Sequence, residues 1–194
     1  METDTFGGPM SPSNTSIKSE QKIILFGGCD GCGKTTIAKE LARVLGIPYF
    51  KPTGQARTAR DNHYAFEMQT VWAEPKLLDF LKQTGHSAVI DRGFPCDWAY
   101  SLALGRERST EWLDAIHELD RGYAELGALL VFTLKKDYSL ARPDSDKRID
   151  RKMLETLDLN YRSYYETSQC AGLLLETDDE DLMSQVTTIL GELE

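Results

Sequence analysis

The stretch from Lys22 to Thr36, reading KIILFGGCDGCGKTT, constrains the fold more than any other part of the chain. An apolar run breaks into glycines, and Lys-Thr-Thr then opens an apolar-periodic segment. Gly28 to Thr35 fits the phosphate-loop pattern G-x-x-x-x-G-K-S/T, with the strand before it and the helix after it that the motif requires. Glycines let successive backbone N–H groups turn inward at the positive end of a helix, where they form an anion-binding nest. In such a loop Lys34 reaches the β- and γ-phosphates of a nucleoside triphosphate, and the Thr35 hydroxyl holds Mg²⁺. Gly28, Asp30, Gly31, Cys32, Gly33, Lys34, Thr35 and Thr36 are the expected nucleotide-binding residues. A plain glycine turn before an ordinary helix is the weaker reading, because strand, loop and helix are all in register.

With 194 residues, one α/β domain is the natural expectation, and the chain is long enough for a sizeable core. No apolar run approaches the ~20 residues of a membrane span, and the N-terminus lacks a signal-peptide core, so a cytoplasmic protein is expected. The 31 acidic against 22 basic residues give a net charge of −9, which argues against a broad nucleic-acid surface while leaving room for a local basic channel. Cys29 and Cys32 form a C-x-x-C, but both lie inside the phosphate loop and no second pair exists to complete a zinc site. Small-residue packing is the favoured role for them over redox chemistry.

Residues 1–21 are rich in Ser, Thr, Asn, Pro and Gly, which reads as a disordered tail before a single domain spanning 22–194. Beyond the first strand and helix, Pro48 to Lys51 reads as a second strand, and His63 to Ala73 as an aromatic-rich helix offering Tyr64, Phe66 and Trp72 for packing or base stacking. Glu74-Pro75 starts a helix that Gly85 stops. Ser87 to Ile90 is a strand ending in Asp91-Arg92. An acidic residue at the carboxyl end of a parallel strand, after a phosphate loop, is where a Walker-B aspartate positions Mg²⁺, so Thr35 and Asp91 are the expected metal ligands. A motor-type ATPase usually places Glu next, whereas Arg92 suits a second phosphate group. Ser109 or Thr110 caps a helix to about Leu126, whose Trp112, Ile116, Leu119 and Tyr123 recur at core spacing. Ala128 to Leu134 is a fourth strand covered on both faces.

The densest basic run of this acidic protein follows, and 135–150 reads as a mobile lid whose cations close over transferring phosphates. Its alternative is a solvated loop stitched by its own aspartates. A helix from Arg151 to about Thr167, a strand from Leu173 to Glu176 and a last helix capped by Thr177 with Glu180 complete the chain. The pattern predicts an α/β fold: a five-stranded parallel sheet with helices on both faces and the ligand at the carboxyl ends of the strands.

Gly28-Cys29-Asp30-Gly31-Cys32-Gly33-Lys34-Thr35-Thr36 resembles the thymidylate kinase form of the phosphate loop, G-x-D-G-x-G-K-T-T. Asp91-Arg92 followed by Ala99-Tyr100 matches that family's D-R-x-x-x-S-x-x-A-Y at the same spacing, and Ile149-Asp150-Arg151 is similar to its post-lid segment. Ile90 to Ser101 also resembles small bacteriophage enzymes of this kind. The resemblance implies a P-loop nucleoside monophosphate kinase, in which Lys34 and Thr35 hold donor phosphates and metal. Asp30 would accept from the acceptor's sugar hydroxyl, and Arg92 would clamp its phosphate. The phosphate loop carries no arginine, so the resemblance places the transition-state cations in the lid, with Arg142, Lys147, Arg148 and Arg151 as candidates. Four departures stand out. Gly27 replaces an acidic residue, Cys96 replaces a serine, R-E-P-G-G is only echoed by Lys51-Pro52-Thr53-Gly54, and Phe66-Glu67-Met68-Gln69 stands where a basic element is usual.

The leading expectation is therefore transfer of the ATP γ-phosphoryl group, with Mg²⁺, to a pyrimidine deoxynucleoside monophosphate such as dTMP, giving ADP and the diphosphate. A kinase of a modified pyrimidine, as hydroxymethyl-deoxyuridine nucleotide or within DNA, is the near alternative. A partner-dependent NTPase switch is the alternative from another class. Small nucleotides are the expected partners, with no membrane, and oligomeric state is open, a homodimer included.

Overall fold

The computed structural model describes residues 20–52, 67–138, 150–178 and 181–194. Its strands are β1 (Ile23–Gly28), β2 (Tyr49–Phe50), β3 (Ala88–Asp91), β4 (Leu129–Leu134) and β5 (Ala171–Glu176). Its helices are α1 (Lys34–Leu45), α2 (Glu74–Thr84), α3 (Phe94–Ala103), α4 (Thr110–Ala124), α5 (Arg151–Thr167) and α6 (Leu182–Gly191). A π-helical turn, Gln69–Ala73, runs directly into α2. All strand pairings are parallel, in the order β2-β3-β1-β4-β5. This is the expected five-stranded architecture. No described helix is long and apolar enough to cross a membrane.

Continuous apolar strands follow from burial on both faces. Along β1, Ile23 and Leu25 join one core with Leu78 of α2, Phe94 of α3, Tyr123 of α4 and Tyr161 of α5. Ile24 and Phe26 point the other way, into a core with Ile37 and Leu41 of α1 and Val186 and Ile189 of α6. The period-two alternation of a strand thus feeds two hydrophobic layers. Each fully buried Leu, Ile or Phe contributes about 1.5–3 kcal/mol to that association.

Several boundaries differ from the sequence expectation for identifiable reasons. Gln21 already belongs to the fold, because its amide donates to the Leu81 carbonyl at 3.1 Å and the His86 carbonyl at 2.8 Å. The remainder of the expected tail, 1–19, lies outside the described residues. Asp181, not Thr177, caps α6, accepting from the Met183 and Ser184 backbone N–H groups at 2.8 and 3.0 Å. The Thr177 hydroxyl instead donates to the Leu134 carbonyl at 3.1 Å, extending the β4–β5 pairing, and Glu180 lies outside the described residues. Of the aromatic-rich stretch, Tyr64 and Phe66 also lie outside them. Trp72 is 61% exposed and carries the Lys76 ammonium over its ring at 3.7 Å, so it packs into no core.

The end of β1 is the tightest place in the sheet. Gly28 has φ of 126°, and a Cβ there would lie 2.1 Å from the Thr133 carbonyl oxygen of β4. Gly27 has no room for a side chain either: its Cβ would meet the Phe132 ring at 2.7 Å and Tyr161 at 3.2 Å. The acidic residue of the family it resembles would find no space here, because the Phe132 and Tyr161 rings, 5.4 Å apart, fill it. Gly27→Ala should therefore destabilise the protein by about 1–3 kcal/mol through overpacking. The urea midpoint should fall; an unchanged midpoint would show that the rings yield freely.

Candidate functional site

In the sheet β1 lies between β3 and β4, with β2 and β3 built on one side and β4 and β5 on the other, which makes its carboxyl end the crevice where open α/β sheets bind ligands. The residues 28–34 turn there into α1. Gly33, at φ of 75°, is the N-cap, and its carbonyl accepts from the Thr36 and Ile37 N–H groups at 2.9 and 3.0 Å. Gly31, Gly33 and Thr36 are exposed, whereas Asp30, Cys32 and Lys34 are buried. The Lys34 ammonium folds across the loop and donates to the Cys29 carbonyl. Burial, with the Arg92 guanidinium nearby, pushes its pKa below the usual lysine value. A desolvated cation at the first turn of a helix, resting on a loop carbonyl, is suited to receive phosphate oxygens.

The two expected metal ligands meet directly. The Thr35 hydroxyl donates to Asp91 Oδ2 at 2.6 Å, and the Tyr49 hydroxyl donates to the same oxygen at 2.6 Å. The Lys51 ammonium is 3.1 Å from that oxygen and 3.1 Å from the Thr35 hydroxyl. Burial alone would raise the Asp91 pKa, but these donors outweigh it and hold the carboxyl below the usual range. Asp91 Oδ1, equally buried, has no hydrogen-bond partner. Among the described residues no group of three or more His, Cys, Asp or Glu is placed to hold a metal by itself. Mg²⁺ does not require one, since it binds through one or two carboxylates, water and substrate phosphates. An ionised carboxylate with one unused buried oxygen beside a threonine hydroxyl fits that ion.

Arg92, immediately after Asp91, is the one non-glycine among the described residues with positive φ, at 72°. A long side chain in the left-handed region costs about 1–3 kcal/mol and persists only where its surroundings enforce it. The guanidinium pairs with Asp30 of the phosphate loop, and the Tyr100 hydroxyl donates to the other Asp30 oxygen at 2.7 Å. Burial would raise the Asp30 pKa, but Arg92 and Lys34 hold it below the normal carboxylate range. The structure therefore brings Asp30, Lys34, Thr35, Asp91 and Arg92 to one place. Asp30 here holds Arg92, a partnership the sequence reading did not anticipate.

Of the four lid candidates, Arg151 alone is among the described residues. Arg142, Lys147 and Arg148 lie outside the described residues. Arg151 opens α5 on the surface, paired with Glu155 at 2.8 Å. At the other end of this segment, Lys135 pairs with Asp178 at 3.4 Å and Lys136 with Glu176 at 3.4 Å. The Tyr138 hydroxyl donates to Asp158 at 2.9 Å and lies 3.3 Å from the Cys29 sulfur, fastening the segment to the phosphate loop. Cys29 and Cys32 are free, buried thiols. The Cys32 side chain and burial push Cys29 upward, keeping it protonated, and its thiol donates to the Leu154 carbonyl at 3.5 Å. The pair packs the loop against α5, in line with the packing role read from the sequence.

The family model described as AAA domain matches residues 22–178. The chain belongs to this AAA domain family. A search of curated proteins finds no match. Among solved structures, a deoxyadenosine kinase from M. mycoides with bound dATP has a TM-score of 0.62 and 20% identity, covering 89% of this chain and 99% of that one. A thymidylate kinase from Ehrlichia chaffeensis has a TM-score of 0.65 and 13% identity, covering 90% and 100%. The thymidylate kinase of Candida albicans has 0.61 and 15%, covering 90% and 91%. At these identities the likeness fixes the fold, that of the P-loop nucleoside and nucleotide kinases.

Besides Tyr49 and Lys51, two buried carboxyl residues of this AAA-domain chain, on α3 and α2, were not read from its sequence. Asp97 of α3 is a buried hub that accepts from Thr70 at 2.9 Å, the Trp112 indole at 2.7 Å and Arg108 at 2.9 Å. Arg106 stands 3.6 Å from it. Two arginines with buried side chains are invisible to a net-charge argument; the i, i+4 pair Asp97 and Ser101, joined at 3.3 Å, was the available signal. Glu74 is the second. Buried at the start of α2, it accepts from the Phe94 N–H at 2.7 Å and so holds the first turn of α3, which the Asp91-Arg92 corner feeds. Burial raises its pKa from 4.5 to about 8.

A carboxyl whose folded pKa lies above its unfolded value stabilises the fold while protonated. That stabilisation is complete below the unfolded pKa of 4.5 and is lost as pH rises through about 8. Glu74→Gln keeps an acceptor for Phe94 and removes the titration. Its urea midpoint should fall less than the wild type's across that window, and parallel pH profiles would contradict a protonated Glu74.

Proposed function

We propose that this protein is an ATP-dependent kinase that phosphorylates a deoxynucleoside monophosphate, a pyrimidine of the dTMP type being the leading acceptor. The observation that carries the reading is Arg92, forced into a left-handed backbone and held against Asp30 of the phosphate loop. A triphosphate site alone needs no such second cation, while a transfer site needs one facing the acceptor. The resemblance of Gly28–Thr36 and of the Asp91-Arg92 motif to thymidylate kinases supports the same assignment, as does the kinase fold.

In this reading the backbone N–H groups of 28–34 cradle the donor phosphates, and Lys34 exchanges the Cys29 carbonyl for a phosphate oxygen. Thr35 and Asp91 would hold Mg²⁺, which would supply charge neutralisation to the donor phosphates. Arg92 orients the acceptor, so that an acceptor oxygen forms the new P–O bond as the bond from the γ-phosphorus to the β–γ bridging oxygen breaks. The leaving electron pair stays on ADP. Positioning and charge neutralisation supply most of the rate in such reactions, and no covalent intermediate on the protein is needed. Arg142, Arg148 and Arg151 are the proposed lid cations for the transition state. A motor-type ATPase, which the family's description alone would allow, lacks support at Arg92, where such enzymes place a glutamate to activate water.

Coupled ADP release should be measured with Mg·ATP across deoxynucleoside monophosphates, hydroxymethyl-deoxyuridine monophosphate and the free nucleosides, since the similar structures include a deoxyadenosine kinase. Turnover with a pyrimidine monophosphate is expected; turnover with nucleosides alone would move the acceptor class, and none with any would refute a small-molecule kinase. Lys34→Ala and Arg92→Ala should each lower kcat/KM by roughly 100-fold or more, on the scale of a removed charge-stabilising donor. Full activity in either variant would remove its assigned role.

A further inference from the structure

The residue that the proposed chemistry leaves unused is Lys51. It follows β2, the short edge strand, and its ammonium lies 3.1 Å from both Thr35 Oγ1, assigned above to Mg²⁺, and Asp91 Oδ2, the other oxygen of the carboxylate assigned to that ion. Asp91 is fully buried, whereas the Lys51 side chain is 30% exposed. The acceptor of this pair is therefore fixed in the core and the donor sits on a flexible stem at its rim. All three donors to Asp91 converge on Oδ2, and Oδ1 has none.

We propose that Lys51 is a tethered cation that competes with the divalent metal for the Thr35–Asp91 pair, so that loading Mg·nucleotide expels it. The inference rests on the reading of Thr35 and Asp91 as metal ligands. A lysine ammonium and Mg²⁺ repel each other strongly at the separations two ligands of one carboxylate would have. The Thr35 hydroxyl, donating to Asp91 and accepting from Lys51, has its lone-pair side turned to the ammonium, the side a metal ligand must offer. Tyr49 does not conflict, because it is neutral and remains a donor to the carboxylate that orients it.

Such a device has a purpose in a transfer enzyme. The carboxylate is kept charged and aligned by a group that costs nothing to hydrate on release, and metal without nucleotide phosphates binds poorly. Linkage makes the effect reciprocal: whatever weakens the Lys51 contact strengthens metal binding by the same factor.

The test measures Mn²⁺ affinity by electron paramagnetic resonance, with ADP present, on the full chain and on Lys51→Met, Lys51→Arg and Asp91→Asn. Lys51→Met keeps the stem and removes the charge, and should bind Mn²⁺ about tenfold tighter, a coupling of ordinary size. Lys51→Arg should stay near the wild type, and Asp91→Asn should bind more weakly. Equal or weaker binding in Lys51→Met, with Asp91→Asn still weakened, overturns the competition while leaving the metal ligands standing. Unchanged binding in Asp91→Asn overturns the ligand assignment and the competition with it. A second measurement needs no variant: acetylation of Lys51 in the wild type, followed by mass spectrometry, should rise several-fold in Mg·ADP over ADP with chelator. No rise would overturn the proposal.

Discussion

The Asp91 carboxylate joins parts of the chain that lie far apart in sequence. It ends β3, takes the hydroxyls of Thr35 from the start of α1 and of Tyr49 from β2, and faces Lys51 beyond that strand. Each contact ends on one oxygen, so the other stays buried and available. An ionised group in this position is expensive to desolvate and becomes tolerable only through those donors. The sheet order makes the meeting possible, because β3 lies directly between β2 and β1.

From that anchor the second cation follows. The residue after Asp91 must leave the strand end sharply, and Arg92 does so with a backbone angle few large side chains adopt. Asp30 and Tyr100 fix the guanidinium, while Glu74 fixes the helix turn that begins two residues later. Strain at a corner, balanced by a buried carboxyl on one side and the phosphate loop on the other, is the kind of arrangement that pre-organises charge. The cost of aligning Lys34 and Arg92 beside one another is met in folding, before any nucleotide arrives.

Strand, loop and α1 were legible because their sequence signal is local: a run of apolar residues, glycines at fixed spacing, then Lys-Thr. Asp91-Arg92 was legible for the same reason. The contacts of Lys51, Tyr49 and Glu74 were not: Lys51 was noticed only as an echo of R-E-P-G-G, nothing local marks Tyr49 or a glutamate opening a helix, and only the fold brings them to Asp91 and Phe94. Of the two roles read for Trp72, packing or base stacking, core packing is not what it does, because it lies in a π-helical turn with its ring exposed beneath Lys76. The α6 cap misled by four residues, because Thr177 has its hydroxyl committed to the Leu134 carbonyl.

A phosphate loop with an arginine set against it should pass its phosphoryl group to a second substrate rather than to water. The most direct measurement follows the γ-phosphorus of labelled Mg·ATP in the presence of deoxynucleotide acceptors, resolving labelled nucleotide from inorganic phosphate. Label on the acceptor, lost with Arg92→Ala, is the predicted result. Inorganic phosphate as the sole labelled product, with or without acceptor, would contradict it.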